Sequence, residues 1–314
     1  MSEAEVRDLI SRVEAQRLID DVLYLARDPL PFRKVNYTRP GQSKCSLDEA
    51  DDFIEARLAS LGYQTERETS PVQAIRCDET KPKSQQYSAA LPDDPWYDAR
   101  NVYGKKLGRE VPDEIIVVIS HKDSQSWVDS PGANDNCIGT VANMEIARVL
   151  ADYPLRRTIW FLYCNEEHFP WSSATAANNA RERGDNIIAV LNLDSAGGKS
   201  YEDQIAKRPT NVTAYTGPEG EVLADLMAEV NERYGIGLHQ SKYAREFPND
   251  DDGSFFKAGY LAAVISVGSF PYADPCYHAE CDTAEHCDYE NAAMVAQAHV
   301  AAILALDENG FPGR

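Results

Sequence analysis

The 314-residue sequence is short of positive charge: 31 Lys and Arg residues stand against 51 Asp and Glu residues, which gives a formal net charge of −20. A protein whose main task is to bind nucleic acid presents a basic surface to the phosphates, so this balance argues against that function. An anionic membrane surface would repel the chain for the same reason. The remaining composition, with 43% hydrophobic residues, is typical of a globular protein.

The sequence also lacks a long hydrophobic run. Near the C-terminus, the longest stretch without formal charge is Asn291–Leu306, which is shorter than the roughly 20 apolar residues of a membrane-spanning helix. The first residues include Glu3 and Glu5, where a secretory signal has basic residues, and no apolar segment follows them. We therefore expect no membrane partner and a cytoplasmic location, although a chain from which a leader had been removed would look the same.

Cysteine is scarce, with seven residues, and the count is odd. A disulfide framework is therefore not the default expectation. A cluster near the C-terminus leaves two alternatives open: a small structural zinc site or, in an oxidising compartment, a disulfide between Cys276 and Cys281. The cluster consists of Cys276, His278, Cys281, His286 and Cys287.

Apolar runs of strand length alternate with helical segments over most of the chain. This pattern predicts an α/β protein with a mainly parallel central sheet and helices on both faces. We expect a single domain over residues 1–314, in which residues 71–100 form a loop excursion or flap. The predicted strands are Ile115–Ile119, Thr158–Cys164, Ile187–Leu193 and Leu261–Val267, and the predicted helices between and after them are Ile138–Leu150, Ser172–Arg183, Glu219–Tyr234 and Glu290–Leu306.

Polar side chains follow these strands. Ligands of such sheets bind beyond the carboxyl ends of the strands, so these side chains should converge. Crowded carboxylates repel one another unless cations neutralise them, and two histidines with several acids suit zinc or a similar divalent ion. The candidates are His121 and Asp123 after the first strand, Asp135 before the Ile138 helix, Glu166 and Glu167 after the second strand, Asp194 after the third, and His278 beyond the fourth.

Five motifs in a defined order contain these candidates. They are His121-Lys122-Asp123-Ser124, Gly132-Ala133-Asn134-Asp135-Asn136, Glu166-Glu167, Asn192-Leu193-Asp194 and His278-x-x-x-Asp282-Thr283. Together they resemble the co-catalytic dizinc aminopeptidases, the group of bacterial leucyl aminopeptidase, aminopeptidase S and the catalytic domain of glutamate carboxypeptidase. The resemblance runs from about Arg39 to the C-terminal helix. It implies a three-layer zinc exopeptidase-like fold and peptide substrates with a free N-terminus, and it leaves the oligomeric state open.

The resemblance also implies two zinc ions, although other divalent transition metals would suit the same ligands. Asp135 would bridge the two ions. Glu167 and His278 would complete one site, and His121 and Asp194 would complete the other.

Two further residues would act beside the metals. Asp123 would accept the free ring N–H of His121 and so fix its tautomer. Glu166 would be the general base, because a carboxylate held off the metals can take a proton from water and pass it to the leaving amine.

Departures from the family pattern leave alternatives open. Residues His168–Ser173 replace the x-Gly-Leu-x-Gly-Ser of relatives, and Asp250–Phe255 replaces a Ser-Asp-His. Trp171 and Tyr277 also resemble aromatic residues of glutaminyl cyclases, which share the fold, use one zinc ion and cyclise an N-terminal glutamine. An inactive relative with a binding role is a third alternative, but Glu166 and every predicted ligand are present. We favour the aminopeptidase because Gly-Ala-Asn-Asp-Asn and Asn-Leu-Asp match its motifs.

Overall fold

The computed structural model describes residues 1–78, 80–81, 87–88, 90–269 and 273–312, with the backbone alone for residues 87 and 88. Within these residues the chain forms nine α-helices and eleven β-strands. The helices are α1 Glu3–Ser11, α2 Ala15–Ala26, α3 Ser46–Ser60, α4 Ile138–Leu150, α5 Ser172–Arg183, α6 Tyr201–Ala206, α7 Gly217–Tyr234, α8 Asp250–Lys257 and α9 Tyr289–Asn309. The strands are β1 Gln64–Ala74, β2 Arg76–Cys77, β3 Tyr87–Ser88, β4 Tyr97–Lys106, β5 Val111–His121, β6 Arg157–Cys164, β7 His168–Phe169, β8 Asn186–Leu193, β9 Thr210–Tyr215, β10 His239–Ala244 and β11 Ala263–Val267.

Nine of these strands form one mixed sheet in the order β10-β9-β11-β8-β5-β6-β4-β1-β7. Its centre is parallel, since β11, β8, β5 and β6 all run in one direction. The sheet turns antiparallel at β9 on one side and at β4 on the other. The predicted α/β class is confirmed, and the carboxyl ends of the parallel strands meet at one edge of the sheet.

The central strands are buried on both faces. In β5, Ile116 and Val118 belong to a hydrophobic cluster that includes α4 and α9, whereas Val117 and Ile119 belong to a second cluster that includes α5 and α8. Successive side chains of a strand point to opposite faces, so helices cover both sides of the sheet. A three-layer arrangement results, and it explains why the central strands have continuous apolar sequences.

Five strands of the sheet were not predicted, namely β1, β4, β7, β9 and β10. They lie towards the two ends of the sheet, and most residues of β10 are partly or fully exposed. A strand with one solvated face, such as β10, has no continuous apolar run, so its sequence resembles that of a loop. Strand β9 is buried, but polar residues interrupt its apolar sequence. The four predicted strands lie at the buried centre, where the apolar signal is strongest.

The irregular segment is shorter than the predicted residues 71–100. Strand β1 continues to Ala74 and β4 begins only at Tyr97, while residues 79, 82–86 and 89 of the intervening segment lie outside the described residues. Pro71 pairs with β4 on one edge, and on its other edge β1 pairs with β7 only beyond this point. A proline is tolerated in such a strand because its missing N–H breaks no ladder bond on the open edge.

The uncharged stretch near the C-terminus belongs to α9, which packs against α1, α2, α4 and α7. Fourteen residues of this helix are buried, and a helix that is apolar on most sides lies in a protein core. In the described part of the chain, no helix is long and apolar enough to cross a membrane.

His299 of α9 predicts an acid-dependent loss of stability. Its ring is fully buried and donates a hydrogen bond from Nδ1 to the backbone oxygen of Val295 at 2.8 Å. Burial lowers the pKa of His299 from 6.5 to about 4. Between these two values the unfolded chain binds a proton that the folded chain does not, so stability falls as the pH falls.

We expect this residue alone to remove on the order of 3 kcal/mol of unfolding free energy between about pH 6.5 and about pH 4. Above the unfolded-state pKa of 6.5, His299 is neutral in both the folded and the unfolded chain, so it causes no loss of stability there. Denaturant unfolding of the wild type and of His299→Leu over this pH range measures the difference in slope. If the stabilities of the wild type and of His299→Leu change in parallel with pH, the prediction is wrong. Metal loss in acid is not a complication, because it affects both proteins equally.

Candidate metal centre

The five predicted ligand residues lie around one centre at the carboxyl edge of the sheet. His121 is the last residue of β5, Glu167 follows β6, and Asp194 follows β8 directly. Asp135 lies in a π-helical turn just before α4, and His278 lies in the loop between β11 and α9. All are buried except His278, whose side chain is 25% exposed.

The ligand atoms form two groups that share Asp135. In the first group, Nε2 of His121 lies 3.2 Å from Oδ1 of Asp135 and 3.6 Å from Oδ1 of Asp194. In the second group, Nε2 of His278 lies 2.9 Å from Oδ2 of Asp135 and 3.2 Å from Oε1 of Glu167. Each oxygen of Asp135 therefore faces a different histidine, which is the arrangement of a bridging carboxylate.

The residues of both groups fit divalent ions. Nε2 of His278 and Oδ2 of Asp135 are buried and make no hydrogen bond to any described residue, although buried polar atoms normally have such a partner. A tetrahedral zinc ion with bonds of about 2.0–2.1 Å separates its ligand atoms by about 3.3 Å. The separations in the two groups are close to this value.

The electrostatics of the centre favour positive charge. Burial lowers the pKa of His121, but hydrogen bonds with three carboxylates outweigh burial and hold that pKa well above its usual value. Burial likewise lowers the pKa of His278, whereas the charges of Glu167 and Asp135 raise it, with a net result of about 10. Burial raises the pKa of Asp135, but both histidines outweigh it and the pKa is well below its usual range. The same field attracts a divalent cation.

Asp123 joins the ends of two strands through four hydrogen bonds. Its Oδ1 accepts from Nδ1 of His121 at 3.1 Å and from the backbone N–H of Glu166 at 3.0 Å. Its Oδ2 accepts from the backbone N–H of Glu167 at 2.8 Å and from Nδ1 of His168 at 2.7 Å. Burial raises the pKa of Asp123, but the two histidines outweigh burial and keep it well below its usual value. The structure thus places Asp123 where an orienting residue for His121 must lie.

Two residues near the centre received no role from the sequence. His168 bonds to Asp123 and lies with Nε2 3.3 Å from the backbone N–H of Val35. Asp282 accepts the backbone N–H groups of Asn134 at 2.6 Å and of Asp135 at 2.9 Å. The sequence pointed to these residues only by position: His168 directly follows the double Glu, and Asp282 lies four residues after His278. Their contacts could not be predicted, because they join segments far apart in the chain.

Glu166 is half-buried, with its Oε2 atom buried, and lies beside the metal ligands. Its Oε2 accepts no hydrogen bond within the described part of the chain. Burial and the charges of Asp250 and Asp251 raise the pKa of Glu166 well above its usual value, while His121 lowers it. A carboxyl group with a free oxygen and a raised proton affinity is suited to proton transfer.

A cavity of about 500 Å³ opens onto this carboxyl group. Among the described residues, the loop before His278 contributes Pro275 and Tyr277 to its wall, and residues 71–100 contribute none. Residues 270–272 of that loop lie outside the described residues. The cavity is lined by Trp127, Glu166, Glu167, Trp171, Asn249, Asp250, Pro275, Tyr277, His278 and Ala279.

The loop around His278 is closed by a disulfide between Cys276 and Cys281. Of the two alternatives left open for these cysteines, the structure contains the disulfide, and the two sulfur atoms are therefore not thiolate ligands of a structural zinc. His286 instead lies with Nε2 2.6 Å from Oδ1 of Asp274. Within the closed loop, the rings of Tyr277 and His278 stack at 3.7 Å. These contacts restrict the orientation of the His278 imidazole.

Sequence comparison identifies relatives. Residues 101–303, more than half of the chain, match the profile of peptidase family M28. A probable zinc metalloprotease of Pyrenophora teres f. teres (strain 0-1) is 32% identical over 153 residues, which cover 46% of this chain and 32% of that protein. A probable aminopeptidase of Saccharomyces cerevisiae is 25% identical over 259 residues, which cover 79% of this chain and 63% of that protein. The matched part is thus less than two thirds of either relative's length.

Solved structures share the fold. An aminopeptidase from Aneurinibacillus sp. strain AM-1 has a TM-score of 0.68 at 15% identity and covers 96% of both chains. A glutaminyl cyclase from Bacteroides thetaiotaomicron has a TM-score of 0.69 at 16% identity, with 93% of this chain and 98% of that chain covered. The fold therefore does not separate these two activities. The sequence match confirms the resemblance that the motifs indicated: the chain belongs to peptidase family M28.

Proposed function

We propose that this chain is a zinc aminopeptidase with two ions per chain, which removes the N-terminal residue of peptides. The proposal depends on one observation: two groups of ligand atoms share Asp135 beside a cavity whose wall contains Glu166. The family and the zinc metalloprotease among the relatives support zinc. The probable aminopeptidase of Saccharomyces cerevisiae supports cleavage at the N-terminus of the substrate.

His121, Asp135 and Asp194 would hold one ion, and Asp135, Glu167 and His278 would hold the other. Ions bound there would polarise the peptide carbonyl and lower the pKa of a bound water towards about 7. Asp123 keeps the ring of His121 turned so that Nε2 faces the centre, since it engages Nδ1.

Glu166 would move the proton. Its Oε2 is free of hydrogen bonds from described residues, and its backbone N–H is held by Asp123, so the backbone of Glu166 has a defined position relative to His121. In this position Glu166 takes a proton from the attacking water and delivers it to the departing amine.

The remaining carboxylates favour a substrate with a positively charged end. Asp250 and Asp251 are buried and Glu166 is half-buried beside the ligand groups, and none of the three belongs to either group. Arg245 compensates part of this charge, because its guanidinium bonds to Asp250 at 2.9 Å and also to Asp252. The excess of negative charge suits the protonated amine of a free N-terminus and supports exopeptidase rather than internal cleavage.

A glutaminyl cyclase is the second candidate, because Trp171 and Tyr277, which resemble aromatic residues of that family, line the cavity. A one-zinc enzyme would need only one of the two groups of ligand atoms. The presence of both groups, around His121 and around His278, favours the peptidase.

An assay with two substrates tests the proposal. The zinc-loaded protein is given a leucyl anilide and a peptide with N-terminal glutamine, each with and without a chelator, and its metal content is measured. We expect chelator-sensitive release of the anilide and close to two zinc ions per chain. Cyclisation of the glutaminyl peptide, together with one zinc ion per chain in repeated metal analyses, would establish the cyclase. No reaction with either substrate would favour an inactive relative.

A further inference from the structure

Lys122 stands between His121 and Asp123 in the sequence, but its ammonium group is completely buried and has its own set of partners. Nζ donates to the backbone oxygen of Arg100 at 2.6 Å and to Oδ1 of Asn165 at 2.9 Å. It also lies 3.2 Å from Oδ1 of Asp51, which is itself fully buried. One ammonium group therefore contacts α3 through Asp51, β4 through Arg100 and the end of β6 through Asn165.

Asn165 is the residue immediately before Glu166 and Glu167. Its backbone N–H donates to Oγ of Ser172 at 2.7 Å, and its Nδ2 donates to the backbone oxygen of Arg100 at 3.0 Å. With Lys122 bonded to its Oδ1, the side chain of Asn165 is held on both of its polar atoms. The segment that bears the predicted base is thus restrained by Lys122 on one side and by Asp123 on the other.

The burial of an ion pair carries a large desolvation penalty. Removal of both charges from water costs free energy that their attraction often fails to recover, and apolar residues of similar volume are frequently as stable. Stability alone therefore does not explain why Lys122 and Asp51 are charged. Their location directly behind the ends of β5 and β6, where the metal ligands begin, suggests a requirement for geometry.

We propose that Lys122 is a positioning residue for the metal centre. Its ammonium group, with its charge compensated by Asp51, fixes the end of β5 relative to the Asn165 turn, so that His121 and the Glu166–Glu167 pair face the same centre. This inference rests on the proposed two-metal peptidase and adds to it a residue that touches neither metal nor substrate.

Three variants separate positioning from a structural role. Lys122→Met removes the ammonium group, and the double variant Lys122→Met with Asp51→Leu also removes the carboxylate left without its partner. Lys106→Met is the matched control, because Nζ of Lys106 also donates to backbone oxygens, those of Leu150 and Tyr153, but near the opposite end of β6. For each protein we would measure thermal unfolding, zinc affinity by competition with a chromophoric chelator, and kcat and KM at saturating zinc.

We expect Lys122→Met to lower both the unfolding temperature and the zinc affinity, the latter by about 10–100-fold, as for residues that orient metal ligands. The double variant should recover most of the unfolding temperature but not the zinc affinity, and its kcat should fall with little change in KM. Lys106→Met should lower the unfolding temperature without a change in zinc affinity.

Recovery of both stability and zinc affinity in the double variant would overturn the proposal, because Lys122 would then only neutralise Asp51. If Lys122→Met does not fold, the double variant alone decides. A wild-type protein that binds zinc but cleaves no peptide would refute the proposed function, while the zinc affinities would still test the role of Lys122. A wild-type protein that binds no zinc would overturn both.

Discussion

The Glu166→Gln variant should lose about 10²–10⁴-fold in kcat and keep both metal ions, because an amide cannot accept the proton of the attacking water. The substitution preserves the shape of the side chain, and the backbone N–H of Glu166 remains bonded to Asp123. Neither group of ligand atoms contains Glu166, so zinc affinity should change little. The loss should therefore be in turnover and not in metal content.

The neighbouring residue provides the control for this experiment. Glu167→Gln makes the same chemical change one position along the chain, but Oε1 of Glu167 lies 3.2 Å from Nε2 of His278 in the second ligand group. This variant should lose zinc as well as activity. Steady-state kinetics combined with metal analysis on both variants distinguishes the roles. Turnover that survives in Glu166→Gln would show that another group is the base.

The Asp135→Ala variant should retain almost no zinc and no turnover. Its two oxygens face different histidines, with Oδ1 3.2 Å from His121 and Oδ2 2.9 Å from His278. Removal of one carboxylate therefore takes a ligand from both groups at once. It also removes a negative charge from between two histidines whose pKa values depend on it, so less negative charge remains to attract a cation.

Asp194→Ala is the comparison for this effect, because Asp194 belongs to the first ligand group alone. We expect this variant to bind one ion with nearly normal affinity and the other weakly. Titration with zinc, followed by calorimetry, measures both affinities in each variant. If Asp135→Ala keeps two ions, a bridging role for this carboxylate is wrong.

Much of the candidate site could be predicted because it follows from strand ends. The apolar runs of β5, β6 and β8 are continuous, since these strands are buried on both faces, and polar residues mark where each run ends. In a parallel sheet these ends meet at one edge. The sequence therefore predicts that residues such as His121 and Asp194 lie close together, although they are more than seventy positions apart.

The outer strands could not be predicted in the same way. Among the described strands, β10 pairs with β9 alone, and its residues alternate little between apolar and polar. Whether such a segment is a strand depends on the partner that supplies its hydrogen bonds. The extension of β1 through Pro71 has the same cause, because β4 supplies its pairing.

The contacts of the residues around the metal ligands could not be predicted from the sequence either. Lys122 has an ordinary surface residue type, and only the packing of α3 and β4 over the end of β5 buries it with Asp51. The contact of Asp282 with the backbone of Asp135 joins segments separated by 147 positions. No local pattern records such a contact.

For this chain, the sequence by itself determined the α/β class, the order of the ligand motifs and the identity of the side chains that can hold metal. These follow from local periodicity and from the alignment of parallel strand ends. The tertiary structure decided which carboxylate oxygens face which histidine, which charges are buried together, and which rings line the cavity. Those features depend on distances between remote segments, and packing alone sets such distances.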